Sequence, residues 1–107
     1  MAFTIKKGDT APFLTATLKD ANGTAVDLTG ATVVFNMADL DDNLVVTNGS
    51  CTITDEDTGR IRYNWVTADT ANEGVFRGEF TVTFASGVIE TFPNSTYFRI
   101  KILDDLG

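Results

Sequence analysis

Histidine is absent from this 107-residue chain. Its absence removes the Ser-His-Asp and Cys-His nucleophile systems and any histidine metal cluster. Cysteine occurs once, at Cys51, so no internal disulfide can form, which fits a reducing cytosol rather than a stapled secreted domain. Positive charge is scarce: eight Lys and Arg face fifteen Asp and Glu, a formal net charge of −7. The cations stand singly or in pairs along the sequence, so the basic patch that phosphate backbones or anionic membranes require is not expected, and neither nucleic acid nor membrane is a partner class. No run of roughly eighteen apolar residues is present to cross a bilayer. The opening Met1-Ala2-Phe3-Thr4-Ile5-Lys6-Lys7 lacks the apolar core of a signal peptide.

Apolar residues make up 43% of the chain, with eight phenylalanines and one tryptophan, enough to bury a core without metal or disulfide staples. One domain over residues 1–107 is expected. Strict alternation marks its strands. Ala31, Val33, Phe35 and Met37 form an inward face, with Thr32, Val34 and Asn36 outward. The same pattern sets Leu14, Ala16 and Leu18 against Thr15, Thr17 and Lys19, and Ile61, Tyr63 and Trp65 against Arg60, Arg62 and Asn64. In the longest strand Phe76, Phe80, Val82 and Phe84 point inward, opposite Arg77, Glu79, Thr81 and Thr83, with Gly78 leaving room for a neighbour.

Strands are expected at residues 3–6, 12–19, 26–28, 31–37, 44–47, 50–55, 60–66, 75–84, 88–92 and 97–103, with one helical turn at 67–74 capped by Thr67. Turns fall at Asp20-Ala21-Asn22-Gly23, Asn48-Gly49-Ser50, Ala85-Ser86-Gly87 and Pro93-Asn94-Ser95. The triplets Asn22-Gly23-Thr24, Asn48-Gly49-Ser50 and Asn94-Ser95-Thr96 have the glycosylation pattern but read as turn chemistry. The fold class is all-β: an immunoglobulin-like antiparallel β-sandwich of about seven to nine strands.

Residues that could carry chemistry are few. Cys51 alternates in step with Ile53 and reads as a small core residue. Glu79 and Glu90 sit on neighbouring strands of one hairpin, but a glycosidase pair needs a set spacing across a deep cleft, which so small a domain does not offer. Asp39, Asp41 and Asn43 match the first ligands of a calcium loop, yet Leu44 and Ser50 stand where that loop needs glycine and glutamate. A looser site shared with the acidic turn Asp55-Glu56-Asp57 is weighed against plain solvated loops, and the latter is preferred. No metal, no cofactor and no enzymatic activity are expected.

The same residues carry a family resemblance. Gly8-Asp9-Thr10, Leu18-Lys19-Asp20-Ala21-Asn22-Gly23 and Val26-Asp27-Leu28-Thr29-Gly30-Ala31, with Val33 and Phe35, resemble the opening of the N-terminal domain of phage baseplate upper proteins. Gly59-Arg60-Ile61-Arg62-Tyr63-Asn64-Trp65, Asp69-Thr70, Gly74, Glu79-Phe80, Gly87 and Thr91-Phe92-Pro93 are similar to its second half in order and spacing. The resemblance implies an immunoglobulin-like virion module, assembled in the host bacterial cytoplasm, that adapts other structural subunits to the tail. Proteins of that family continue into segments that hold receptor-binding proteins. This sequence stops at Gly107, so the expectation is a small accessory protein of the tail, baseplate, neck or fibre. Capsid decoration is the alternative within the same class.

Docking by such a module uses strand edges and loop tips, repeated by symmetry. The candidate partner-binding residues are Phe3 and Ile5 in the first strand, Tyr97, Arg99 and Lys101 in the last, and Asp39, Asp41, Asp42, Asp55 and Asp57 in the acidic loops. A rival from another class is a carbohydrate-binding module, for which Tyr97 is the best-placed ring, because Trp65 and Tyr63 alternate with Ile61 toward the core.

Overall fold

The computed structural model describes residues 2–93 and 97–106. The strands are β1 (Ala2–Lys6), β2 (Leu14–Thr17), β3 (Thr32–Asp39), β4 (Leu44–Asp55), β5 (Arg60–Tyr63), β6 (Gly74–Thr83), β7 (Ile89–Phe92) and β8 (Phe98–Leu103), with a 3₁₀ turn at Thr67–Thr70. They form a continuous path β1-β8-β6-β3-β4-β5-β2, with β7 beside β6. The all-β sandwich expected from the alternation is the observed architecture. One pairing departs from it: β1 runs parallel to β8, with Phe3 opposite Ile100 and Ile5 opposite Ile102.

β4 is the corner of the sandwich. Its first part pairs with β3 in the larger sheet, through Leu44 opposite Ala38 and Ser50 opposite Val34. Its second part pairs with β5 in the smaller sheet, through Cys51 opposite Tyr63 and Ile53 opposite Ile61. A strand that changes sheets at an irregularity is the usual way to turn such a corner. The turn expected at Asn48-Gly49-Ser50, and the two separate strands around it, are therefore corrected. Asn48 takes a left-handed φ of 51°, and its amide donates to the Asn36 side-chain oxygen at 2.8 Å. The ladder is bridged by a side chain rather than broken.

Other expected elements shorten. Residues 26–28 form no strand; only an isolated bridge joins Lys19 to Ala25. The helical turn is a single 3₁₀ turn closed by Asp69 rather than capped by Thr67: the Asp69 carboxylate accepts from the Val66 amide at 3.1 Å. Thr70, fully buried, ties this turn to the loop after β1 by donating to the Asp9 carbonyl at 2.9 Å, while Gly8 donates to the Thr70 carbonyl at 2.9 Å. The Asn94-Ser95-Thr96 turn lies outside the described residues.

The core follows the alternation. Val33, Phe35 and Met37 are buried, as are Ile61, Tyr63 and Trp65, and Phe76, Phe80 and Val82. Phe35 is central. Its ring centroid lies 4.8 Å from Tyr63, 5.3 Å from Phe80, 5.8 Å from Trp65 and 6.0 Å from Phe98. Burying one such side chain contributes about 1.5–3 kcal/mol. Gly78 is the expected space-maker: a Cβ there would sit 2.7 Å from the Phe98 ring and 2.8 Å from Ile100.

Candidate functional site

The β3–β4 tip is built by its own carboxylates. Asp39 Oδ1 accepts from the backbone amides of Asp41 and Asn43, each at 2.9 Å, and Oδ2 accepts from the Asn43 side-chain nitrogen Nδ2 at 3.1 Å. These bonds favour the charged form and hold the Asp39 carboxyl below the usual range. The Asp42 φ of 67° turns its backbone left-handed, and its carboxylate pairs with Arg77 of β6. Arg77 also donates to the Asp39 carbonyl at 3.0 Å and lies 5.3 Å from the Tyr97 ring centroid. One guanidinium thus joins the hairpin tip, the long strand and Tyr97. A groove of about 350 Å³ beside it is lined by Asn36, Asp42, Leu44, Arg77, Glu79 and Tyr97. Leu40 and Leu44 stand exposed on either side of the tip.

The candidate residues divide between two ends of an elongated molecule measuring 46 × 25 × 22 Å. Arg99 lies in register across from Arg77, and Lys101 across from Val75, so both face solvent on the same side as Tyr97 and the β3–β4 tip. Asp55 and Asp57 lie at the opposite end of β4 from Asp39, Asp41 and Asp42. The two acidic loops are thus held apart by a twelve-residue strand that changes sheets along its length. Among the described residues no three Asp, Glu or Cys side chains converge as a metal site. Glu79 and Glu90 also part company. Glu90 is opposite Val82, on the side of the sheet that β6 turns to the core, whereas Glu79 is exposed on the other face.

Two candidates on the β1–β8 side need correction. Ile5 is only 3% exposed and packs in the core, because its position in β1 alternates inward. β8 is not an edge; it is covered by β1 on one side and β6 on the other. Phe3 is half-buried, its ring stacked on Trp65 at 5.7 Å. Among the described residues the open edges are β1, β2 and β7. Cys51 is half-buried, and burial pushes its thiol up to about 12, the reverse of an activated nucleophile.

Sequence reading missed the hub role of Arg77, whose outward position in β6 was legible but whose hydrogen-bond partners lie 35 and 38 residues away, with Tyr97, just before β8, as its ring neighbour. It also missed the smaller sheet's outer face. There Phe13 is 48% exposed and stacks against the Arg62 guanidinium at 4.7 Å.

The fold and these surfaces define a small all-β module whose described polar side chains build its turns and sheet faces. The model of the BppU N-terminal domain matches residues 2–101, and the chain belongs to that family, the N-terminal domain of phage baseplate upper proteins. This membership marks it as a phage virion structural protein. Among solved structures, CopC from Methylosinus trichosporium OB3b is similar at 10% identity and a TM-score of 0.57, over 98% of this chain and 86% of that one. That likeness is one of fold. Human CDH23 EC21-23 aligns at 12% identity and a TM-score of 0.49, over 98% of this chain and 33% of that one. Comparison with curated proteins found no match.

Proposed function

We propose that the chain is a non-enzymatic adaptor that docks onto other structural subunits at the tail end of a phage virion, in several copies set by the symmetry of the assembly. The observation that carries this reading is the family match over residues 2–101. The surface supports it physically. Tyr97, Arg77 and Leu44 form a mixed aromatic, cationic and apolar patch at one end, the composition that recurs at the centre of protein interfaces. Arg99 and Lys101 extend it along β8, and Asp39, Asp41 and Asp42 border it. Asp55 and Asp57 offer a second contact at the far end, so one copy can touch two neighbours. Weak contacts suffice, because several attachments to a rigid assembly multiply their effect.

The carbohydrate reading through Tyr97 has less support, because Trp65 and Tyr63 are buried and the Tyr97 ring is already engaged by Arg77. The test is the copy number per purified particle, by quantitative mass spectrometry against the major capsid and tail-tube proteins. A low number set by tail symmetry supports the adaptor. Parity with the capsid protein makes it a decoration protein, and absence from particles overturns the virion reading.

A further inference from the structure

The outer face of the smaller sheet has a regular composition that docking at the β3–β4 tip does not use. Two rows cross its three strands. Thr15, Arg62 and Thr52 lie in register in one, and Thr17, Arg60 and Asp55 in the next. A groove of about 440 Å³ runs over this face, lined by Thr15, Thr17, Thr54 and Arg60, with Ala16 and Ile61 beneath. This lies within the range of small-ligand sites, roughly 300–1,000 Å³.

The polar groups of the groove are unspent. Among the described residues, the hydroxyls of Thr15, Thr17 and Thr54 and the Arg60 guanidinium have no hydrogen-bond or ion-pair partner within the chain. Asp55 stands opposite Arg60 in register, but its Oδ1 accepts from the Asp57 amide at 3.2 Å, and no ion pair forms. Next to the groove the Phe13 ring is half exposed and lies against Arg62 at 4.7 Å, leaving an aromatic surface beside two guanidinium groups.

Arg60 is fixed in place by the residue before it. Gly59 adopts φ +70°, and a Cβ there would sit 2.7 Å from the Leu18 carbonyl oxygen and 2.9 Å from that of Val26. The backbone must pass this closely for the Leu18 amide to donate to the Gly59 carbonyl at 2.8 Å. Arg60 therefore leaves a rigid turn, not a mobile loop.

We propose that this groove binds an anionic glycan, a chain bearing both hydroxyls and carboxylate or phosphate groups. The threonine hydroxyls donate and accept with sugar hydroxyls. The guanidinium forks of Arg60 and Arg62 match a planar carboxylate or a phosphate, and the Phe13 ring, lying against Arg62, steadies that guanidinium beside the groove. A chain of net charge −7 places two guanidinium groups that, among the described residues, have no carboxylate partner side by side on this face, and their complement is an acidic ligand. This site is independent of the adaptor reading, whose test is copy number.

The experiment is a glycan array carrying neutral, carboxylated and phosphorylated oligosaccharides, followed by chemical-shift titration of the full chain with the strongest acidic binder and its neutral counterpart. Expected are binding of acidic chains only, shifts confined to β2, β5 and Phe13, and a loss of about tenfold or more in Arg60→Ala. Tyr97→Ala is expected to leave that binding unchanged. Arg60→Glu, an exposed reversal whose folding is checked by its melting temperature, abolishes it. A blank array, equal binding of neutral chains, unchanged affinity in Arg60→Glu or loss of binding in Tyr97→Ala would each overturn the proposal.

Discussion

The Tyr63 hydroxyl donates to the Asp69 carboxylate at 2.6 Å inside the protein, and that carboxylate also receives the Val66 amide at 3.1 Å. β5 and the 3₁₀ turn are thereby locked together at the point where the chain leaves the smaller sheet. Tyr63→Phe is expected to lower stability by about 1.5–3 kcal/mol, the range for a hydrogen bond to a charged acceptor. Asp69→Ala is expected to cost more, since it orphans both the phenol and the Val66 amide. Urea denaturation of the two single variants and the double variant checks this, and the double variant should fall short of the sum.

Alkaline pH should weaken the fold. Burial raises the Cys51 thiol from 9.0 to about 12, and burial together with the Asp69 carboxylate raises the Tyr63 phenol above its ordinary value of 10.0. Both groups are held protonated in the native state, so their contribution is complete below the unfolded values and is lost as pH rises past them. Stability is expected to hold level up to about pH 9 and then fall, by at most about 1.4 kcal/mol per pH unit for each proton. Cys51→Ala should flatten the first part of that fall and Tyr63→Phe the later part, as read from chemical denaturation midpoints between pH 8 and 11.

The inward faces of β3, β5 and β6 were legible in the sequence because a period of two is local: Val33, Phe35 and Met37 need only their own strand to declare themselves. The continuity of β4 was not. Asn48 and Gly49 carry turn chemistry, and what keeps the strand going is Asn36, twelve residues away, whose side chain takes the Asn48 amide. The parallel pairing of β1 with β8 is likewise a property of the chain's two ends, which no local pattern encodes. The proposed docking patch was half legible. Tyr97, Arg99 and Lys101 alternate outward, but the guanidinium that joins Tyr97 to the β3–β4 tip comes from Arg77, and Ile5 was named although its alternation buries it.

Two glycines test different physics. Gly78 has no left-handed requirement, but a Cβ there meets Phe98, Ile100 and Phe35 at 2.7, 2.8 and 3.0 Å. Gly78→Ala is expected to destabilise by about 1–3 kcal/mol through overpacking, partly relieved by Phe98→Leu in the same chain. Gly23 has φ +81° and nothing within 4 Å. Gly23→Ala should cost about 1–2 kcal/mol from backbone strain alone, with no rescue by any core substitution. Thermal melts of the two variants, each with and without Phe98→Leu, separate these causes.

The adaptor reading predicts that the surface around Arg77 matters more for assembly than for folding. Asp42 is exposed and Arg77 partly so, and a surface ion pair of this kind contributes little to stability. At an interface the same guanidinium, steadied by the Asp39 carbonyl and the Tyr97 ring, would be desolvated, and its removal would cost far more. Arg77→Glu and Tyr97→Ala, made in the phage that encodes the chain, are expected to melt within a few degrees of the unaltered protein while their copy number in purified particles falls. Arg60→Ala, on the opposite sheet, should be incorporated normally. Full incorporation of Arg77→Glu and Tyr97→Ala would move the docking contact away from this end of the sandwich, to the Asp55 and Asp57 turn or the open edges of β1 and β7.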